Sequence, residues 1–126
     1  MTIYITAPEA LLLHRVLIDR FGGAHGLRDA GALEAALFRP QSGYYEDIIQ
    51  QAAALWESMT NNHAFLDGNK RIGFALTDTF LRVNGYRITA DADDIFELIH
   101  KLLETGEFEY KNLESWLREN IKKTDK

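Results

Sequence analysis

The segment HAFLDGNKR, residues 63 to 71, gathers an unusual set of reactive side chains. It contains the imidazole of His63, the carboxylate of Asp67, the amide of Asn69, the ammonium of Lys70 and the guanidinium of Arg71. Loops that only connect two helices rarely need an acid, a base and two cations in so short a stretch. This inventory is typical of a site that handles a phosphorylated ligand.

The second half of the segment predicts a polyphosphate site. A loop that leads into a helix N-terminus presents free backbone N–H groups and the positive end of the helix dipole, and both favour phosphate. Gly68 lets the backbone approach a ligand closely, and Asn69 adds an amide donor. Lys70 adds a point charge and Arg71 a planar fork of donors.

The first half predicts the groups that act beside the phosphates. Nucleotide-bound Mg²⁺ commonly takes one or two carboxylates, and Asp67 is the carboxylate of the segment. Histidine has an ordinary pKa of about 6.5, so a neutral His63 can accept a proton from an attacking hydroxyl. Phe65, an aromatic side chain between polar neighbours, is expected to anchor the loop in the core.

Each of these residues also has a purely structural interpretation. His63 could cap the preceding helix, Asp67 and Gly68 could form an ordinary turn, and Lys70 and Arg71 could be a solvated first helical turn. The structural interpretation has to hold at every position at once, so we favour the catalytic one.

Helices must hold this loop in place, and apolar periodicity with polar caps predicts where they lie. Proline after a short helix and Asn-Gly after a longer one mark two of the predicted ends. The expected helices cover residues 7–21, about 29–40, 45–61, 69–83, 91–104 and 113–122, with a short strand at 86–89. The prediction is one all-α domain over residues 1–126, with about six helices and at most a small β-hairpin.

Composition excludes several classes of function. The 126 residues are 46% hydrophobic and 26% charged, as in soluble globular domains, and they include no cysteine for disulfides or thiolate metal sites. The net charge of −5 disfavours direct binding to nucleic acid. No signal peptide or membrane-spanning run is recognisable, so we expect a cytoplasmic protein with no membrane partner.

HAFLDGNKR resembles the H-x-F-x-D/N-A/G-N-K-R signature of death-on-curing toxins in the Fic/Doc, or Fido, superfamily. The resemblance extends upstream to residues 26–29 and 33–41, and it includes chain length and helix order. It implies a compact helical fold, ATP and Mg²⁺ as substrate and cofactor, and modification of a threonine or serine hydroxyl on a protein target. It further implies elongation factor Tu as that target, an arrest of translation, and an antitoxin whose disordered tail folds as a helix into a groove of the toxin.

The branch of the superfamily decides which group is transferred. Related Fic proteins transfer AMP, and their loop resembles G-N-G-R followed by a second arginine three residues later. This chain has Lys70 at the second glycine and Phe74 at the second arginine. Similarity to the lysine-bearing branch implies an inverted nucleotide that presents its γ-phosphate, hence kinase-type transfer. AMP transfer and a catalytically silent binding module are the alternatives.

Two patterns outside the loop have mainly structural interpretations. Ser115, Glu119 and Asn120 fit the S/T-x-x-x-E-N/G motif of self-inhibiting Fic proteins, but the arginine that such a glutamate engages would fall at Phe74. An amphipathic last helix that packs through apolar side chains explains the same residues. The remaining histidines are expected to be surface or core residues without a dedicated metal; they are His14, His25 and His100.

Overall fold

In the computed structural model, which describes residues 1–124, six helices and two short strands alternate with polar turns. The helices are α1 (Ala7–Phe21), α2 (Ala30–Phe38), α3 (Ile48–Asn61), α4 (Asn69–Val83), α5 (Ala92–Glu104) and α6 (Tyr110–Glu119). The strands are β1 (Tyr86–Ile88) and β2 (Ile121–Lys123), and Arg39–Gln41 forms a 3₁₀ turn after α2. The predicted helical fold with a small β element is confirmed.

Four helices begin at a side chain that accepts a first-turn N–H. Thr6, Asp29, Asp47 and Asp91 each accept from the backbone three residues later, and this contact satisfies a donor that the helix itself leaves open. Asp47 corrects one predicted boundary, because its cap starts α3 at Ile48 instead of residue 45.

The core is centred on α3, which packs mainly against α4 and α6. Trp56 of α3 is fully buried and meets Phe74, Phe108 and Trp116 edge-on. Gly73 lets α4 approach α3 closely, because a Cβ atom at this position would collide with the Thr60 hydroxyl. The loop that carries the reactive residues is therefore held between two tightly packed helices.

The last part of the chain departs from the sequence prediction. The final helix, predicted at 113–122, spans Tyr110–Glu119, and residues 121–123 form β2 antiparallel to β1. The backbone leaves helical geometry at Asn120, whose carbonyl accepts the Thr89 N–H at 2.7 Å. Pairing with β1 thus ends α6, and the two strands are separated in sequence by α5 and α6.

Within residues 1–124, none of the helices combines the length and apolar character needed to cross a membrane.

Candidate active site

His63 lies where the chain leaves α3, and its backbone is unusual. Among residues 1–124 it is the one non-glycine residue with a positive φ, 52°. Its side chain is exposed and lines an open groove, while its carbonyl accepts a hydrogen bond from Arg28 Nε at 2.8 Å. The imidazole is therefore accessible to a ligand, and the backbone beneath it is held by a residue from outside the loop.

Phe65 and Asn69 give the loop its shape. Phe65 is 2% exposed, and its backbone N–H and C=O are both bonded to the Asn69 side chain, at 3.1 and 3.0 Å. The Asn69 amide, predicted to donate to phosphate, is thus engaged with the loop backbone. One of its two N–H donors remains for a ligand.

Asp67 presents an ionised carboxylate at the exposed turn of the loop. Its Oδ2 accepts the Ala24 N–H at 3.0 Å, and its Oδ1 accepts the Gly68 N–H at 2.8 Å. The hydrogen bond from Ala24, and next that from Gly68, lower the pKa of the Asp67 carboxyl below its usual value because they stabilise its charged form. Gly23 permits the approach, because a Cβ there would lie 2.8 Å from Asp67 Oδ2. The carboxylate is charged and fixed, as a ligand for Mg²⁺ must be.

Gly68 opens α4 and leaves the start of the helix uncovered. Its φ of 75° lies in the left-handed region that favours glycine, and it offers no side chain to accept the first-turn N–H groups. Lys70 is exposed in this turn. Arg71 donates to the Gly22 carbonyl at 3.4 Å and lies over the Phe21 ring. The turn thus combines open N–H donors with two cations, as a phosphate site requires.

His14, expected to be an ordinary surface or core histidine, is buried against the loop and supports it. It is 4% exposed on α1, its ring stacks on Phe65 at 3.8 Å, and its Nε2 lies 2.8 Å from the Asp67 carbonyl. Because a carbonyl only accepts, Nε2 must carry the proton. The signal was present in the sequence: Ala10, His14 and Ile18 recur every four residues and form the buried face of α1. Of the four apolar residues whose spacing predicts α1, Leu13 and Leu17 are partly buried against the core, whereas Leu12 and Val16 are exposed.

An open groove of about 1250 Å³ extends from the loop along α4 and α5. One end is polar and contains His63, Asp67 and Lys70. The other end, along α5, has apolar side chains such as Ile95 and Phe96, the latter 71% exposed, beside Asp93 and His100. The polar end has the groups for a nucleotide's phosphates, and the apolar end can accept a larger partner.

The C-terminal motif and the second-arginine position take structural roles. Ser115 and Glu119 are exposed and do not line the groove, and the Asn120 side chain donates to Trp116 O in the last turn of α6. Phe74 packs edge-on against Trp56 at 5.8 Å. Within residues 1–124, no three His, Asp or Glu side chains are grouped to hold a metal alone. A cation at Asp67 would therefore need ligands from the phosphates and water.

Comparisons with known proteins agree with the loop motif. Residues 4–81 match the model of the Fic/DOC family. The chain is 40% identical over 98 residues to Toxin Doc of Mycolicibacterium smegmatis, covering 74% of this chain and 73% of the relative. It is 31% identical over 119 residues to Protein kinase doc of Escherichia phage P1, covering 91% and 93%. The resemblance inferred from HAFLDGNKR is confirmed, and the chain belongs to the Fic/DOC family.

Proposed function

We propose that this protein is the toxin of a toxin–antitoxin pair that transfers the γ-phosphate of ATP to a threonine or serine hydroxyl of a protein target. Elongation factor Tu is the target we expect, and translation would stop as a consequence. The observation that carries the proposal is the uncovered start of α4, with Lys70 and Arg71 in its first turn and the ionised Asp67 just before it. The name of one relative, Toxin Doc, supports the toxin role, and the name of the other, Protein kinase doc, supports phosphate transfer to a protein.

The loop residues and the first turn of α4 have separate roles in phosphate transfer. The first-turn N–H groups of α4, Lys70 and Arg71 bind the phosphates. Asp67 would hold Mg²⁺, and the bound cation would neutralise phosphate charge. His63 accepts the proton of the target hydroxyl as that oxygen forms a bond to the γ-phosphorus. The bond between the γ-phosphorus and the bridging oxygen breaks, and ADP leaves.

Lys70 and Phe74 favour phosphate transfer over AMP transfer. The ammonium of Lys70 adds a charge where AMP-transferring proteins have a glycine, and Phe74 fills their second-arginine position with a ring packed on Trp56. An aromatic ring in this place cannot bond to phosphate oxygens. We therefore infer that the nucleotide binds with its γ-phosphate toward His63.

Paired labels test this proposal directly. Purified protein is incubated with elongation factor Tu and with either α-labelled or γ-labelled ATP. Wild type should transfer the γ-label. Lys70→Gly should lose this transfer because the ammonium is removed, and Lys70→Arg should be impaired because a planar fork does not substitute freely for a compact ammonium. Lys111→Gly is a matched control, because Lys111 holds the same second position in α6 and lies outside the groove. Transfer of the α-label would show that the protein transfers AMP instead of phosphate. Transfer of neither label would contradict both activities.

We also propose that the apolar end of the groove receives the helical tail of the antitoxin. Phe96 and its apolar neighbours on α5 offer the unpaired face that an amphipathic helix needs. Phe96→Glu should weaken binding of the cognate antitoxin, measured by calorimetry. Phe38→Glu, at another exposed phenylalanine outside the groove, is the control. Equal losses in both variants would contradict this location.

A further inference from the structure

Arg28 contacts the segment that carries His63 at three successive carbonyls. Its side chain donates from Nε to His63 O at 2.8 Å and from Nη2 to Asn62 O at 3.3 Å. Its backbone N–H donates to Ala64 O at 2.8 Å, beside the Asp29 N–H at 3.0 Å. Arg28, in the connection between α1 and α2, therefore holds the backbone of residues 62–64, where the chain leaves α3.

The exit of α3 needs such support because of its geometry. A non-glycine residue with positive φ is disfavoured, and such residues persist where their surroundings over-determine them. The left-handed turn at His63 ends α3 and leads the chain into the loop, with the imidazole lining the groove. Contacts to the carbonyls on either side of the His63 α-carbon restrict the backbone torsions that set the direction of this side chain.

The Arg28 side chain is directed at this backbone alone. It is exposed, and no carboxylate within residues 1–124 forms an ion pair with it. An exposed side chain contributes little to the core, so its loss should affect the loop more than global stability. The two guanidinium donors match two neighbouring carbonyls, an arrangement that a single ammonium reproduces poorly.

We propose that Arg28 is a positioning residue that holds the backbone of His63 in its left-handed conformation and so aims the imidazole at the target hydroxyl. The catalytic half, that Arg28 aims the imidazole at the target hydroxyl, rests on the proposed function. The conformational half, that Arg28 holds the His63 backbone, does not. Arg28 acts through His63 and contacts no reacting atom.

The conformational half is tested by NMR, without substrate. The ring C–H signal of His63 is assigned by its loss in His63→Ala. Arg28→Ala should shift or broaden this signal and leave those of His25 and His100 unchanged. Free guanidinium at millimolar concentration should restore the His63 signal, and Arg28→Lys should give an intermediate position. Arg87→Ala, an exposed arginine on β1, is the control and should change nothing. If Arg28→Ala folds poorly, as judged by thermal unfolding, Arg28→Gln replaces it.

The catalytic half is tested by turnover. Arg28→Ala should lower kcat by roughly 10²-fold and leave KM for ATP unchanged, because misplacement of a reacting group affects the chemical step. In a His63→Ala background the same substitution should cause no further loss. An unchanged His63 signal, or equal losses of turnover with and without His63, would overturn the proposal. If wild type transfers no label, the proposed function fails, while the NMR experiment still decides whether Arg28 holds the backbone.

Discussion

The N-termini of α4 and α6 both lack a hydrogen bond to the N-cap side chain, but they differ in what takes its place. Neither N-cap residue, Gly68 or Glu109, accepts a first-turn N–H with its side chain. At α6 the Glu57 carboxylate of α3 takes that place and accepts the Tyr110 N–H at 2.9 Å. At α4 no side chain of residues 1–124 accepts a first-turn N–H, and Lys70 and Arg71 add positive charge to this turn. The N-terminus of α6 is occupied by the Glu57 carboxylate, whereas the N-terminus of α4 is open to an anionic ligand.

The surroundings of the two termini differ in the same way. Glu57 also pairs with Arg39 at 2.8 Å, and Arg39 donates further to the Tyr45 and Ser58 hydroxyls. Burial, and next the Glu114 carboxylate, raise the pKa of Tyr110 to about 12, so this phenol stays neutral at physiological pH. Such a satisfied network stabilises the fold. The loop at α4 leaves the side chains of His63, Lys70 and Arg71 exposed, where a ligand can reach them.

The largest effect should come from His63→Ala. Loss of the general base should lower transfer of the γ-label by about 10²–10⁴-fold, with the thermal unfolding midpoint nearly unchanged, because the imidazole is exposed. His25→Ala is the control, since His25 is an exposed histidine paired with Asp19 outside the groove. Wild-type turnover in His63→Ala would contradict the assignment of the base.

The next effect concerns Asp67→Asn, which keeps the size of the side chain and removes its charge. Turnover should fall, and half-maximal activity should require more Mg²⁺, because a neutral amide is a poorer ligand for this cation. Asp94→Asn, an exposed carboxylate outside the groove, should leave the Mg²⁺ titration unchanged. The same titration curve in Asp67→Asn and wild type would make the carboxylate only a turn residue.

These contrasts also separate what the sequence predicts from what it cannot. The bounds of α1, α4 and the end of α5 were predicted correctly because caps and glycine breaks are local signals. The start of α6 was placed three residues late, because it depends on Glu57, fifty-three positions away. Its end was also missed, because β2 forms only through pairing with β1.

The candidate site shows the same division. The motif residues were identified from their order along the chain, since one loop carries them all. Their supports were not, because His14 and Arg28 come from elsewhere in the chain and reach the loop through tertiary hydrogen bonds. The engagement of Asn69 with the Phe65 backbone was hidden for a related reason: an amide suited to phosphate is equally suited to a peptide group.

A smaller effect, confined to stability, is expected at the filled terminus. In Glu57→Gln one end of the side chain must place an amide N–H against Arg39 or against the Tyr110 N–H, so one hydrogen bond is lost. The free energy of unfolding should fall by about 1–3 kcal/mol in urea titrations, with label transfer unchanged. Glu34→Gln, an exposed glutamate on α2, should stay within about 0.5 kcal/mol of wild type. A stable variant with reduced transfer would contradict the division between the two termini.

The smallest effect is the pH dependence that Asp67 brings to the open terminus. Hydrogen bonds from Ala24 and Gly68 lower the folded-state pKa of its carboxyl, so the ionised form stabilises the fold above the unfolded-state pKa of about 3.9, and this contribution disappears as the pH falls through the lower, folded value. The difference in unfolding free energy between wild type and Asp67→Asn should therefore be constant from neutral pH down to about pH 5 and change only in more acidic solution. Urea titrations at a series of pH values measure this difference in unfolding free energy, and because the carboxylate is fully exposed the change should be small.

Because its pKa lies below the usual value, Asp67 stays charged in any assay near neutral pH. Any rise of turnover between pH 6 and 8 must therefore come from another group. A stability difference that already varies between pH 6 and 8 would mean that the backbone donors do not hold the carboxylate in solution.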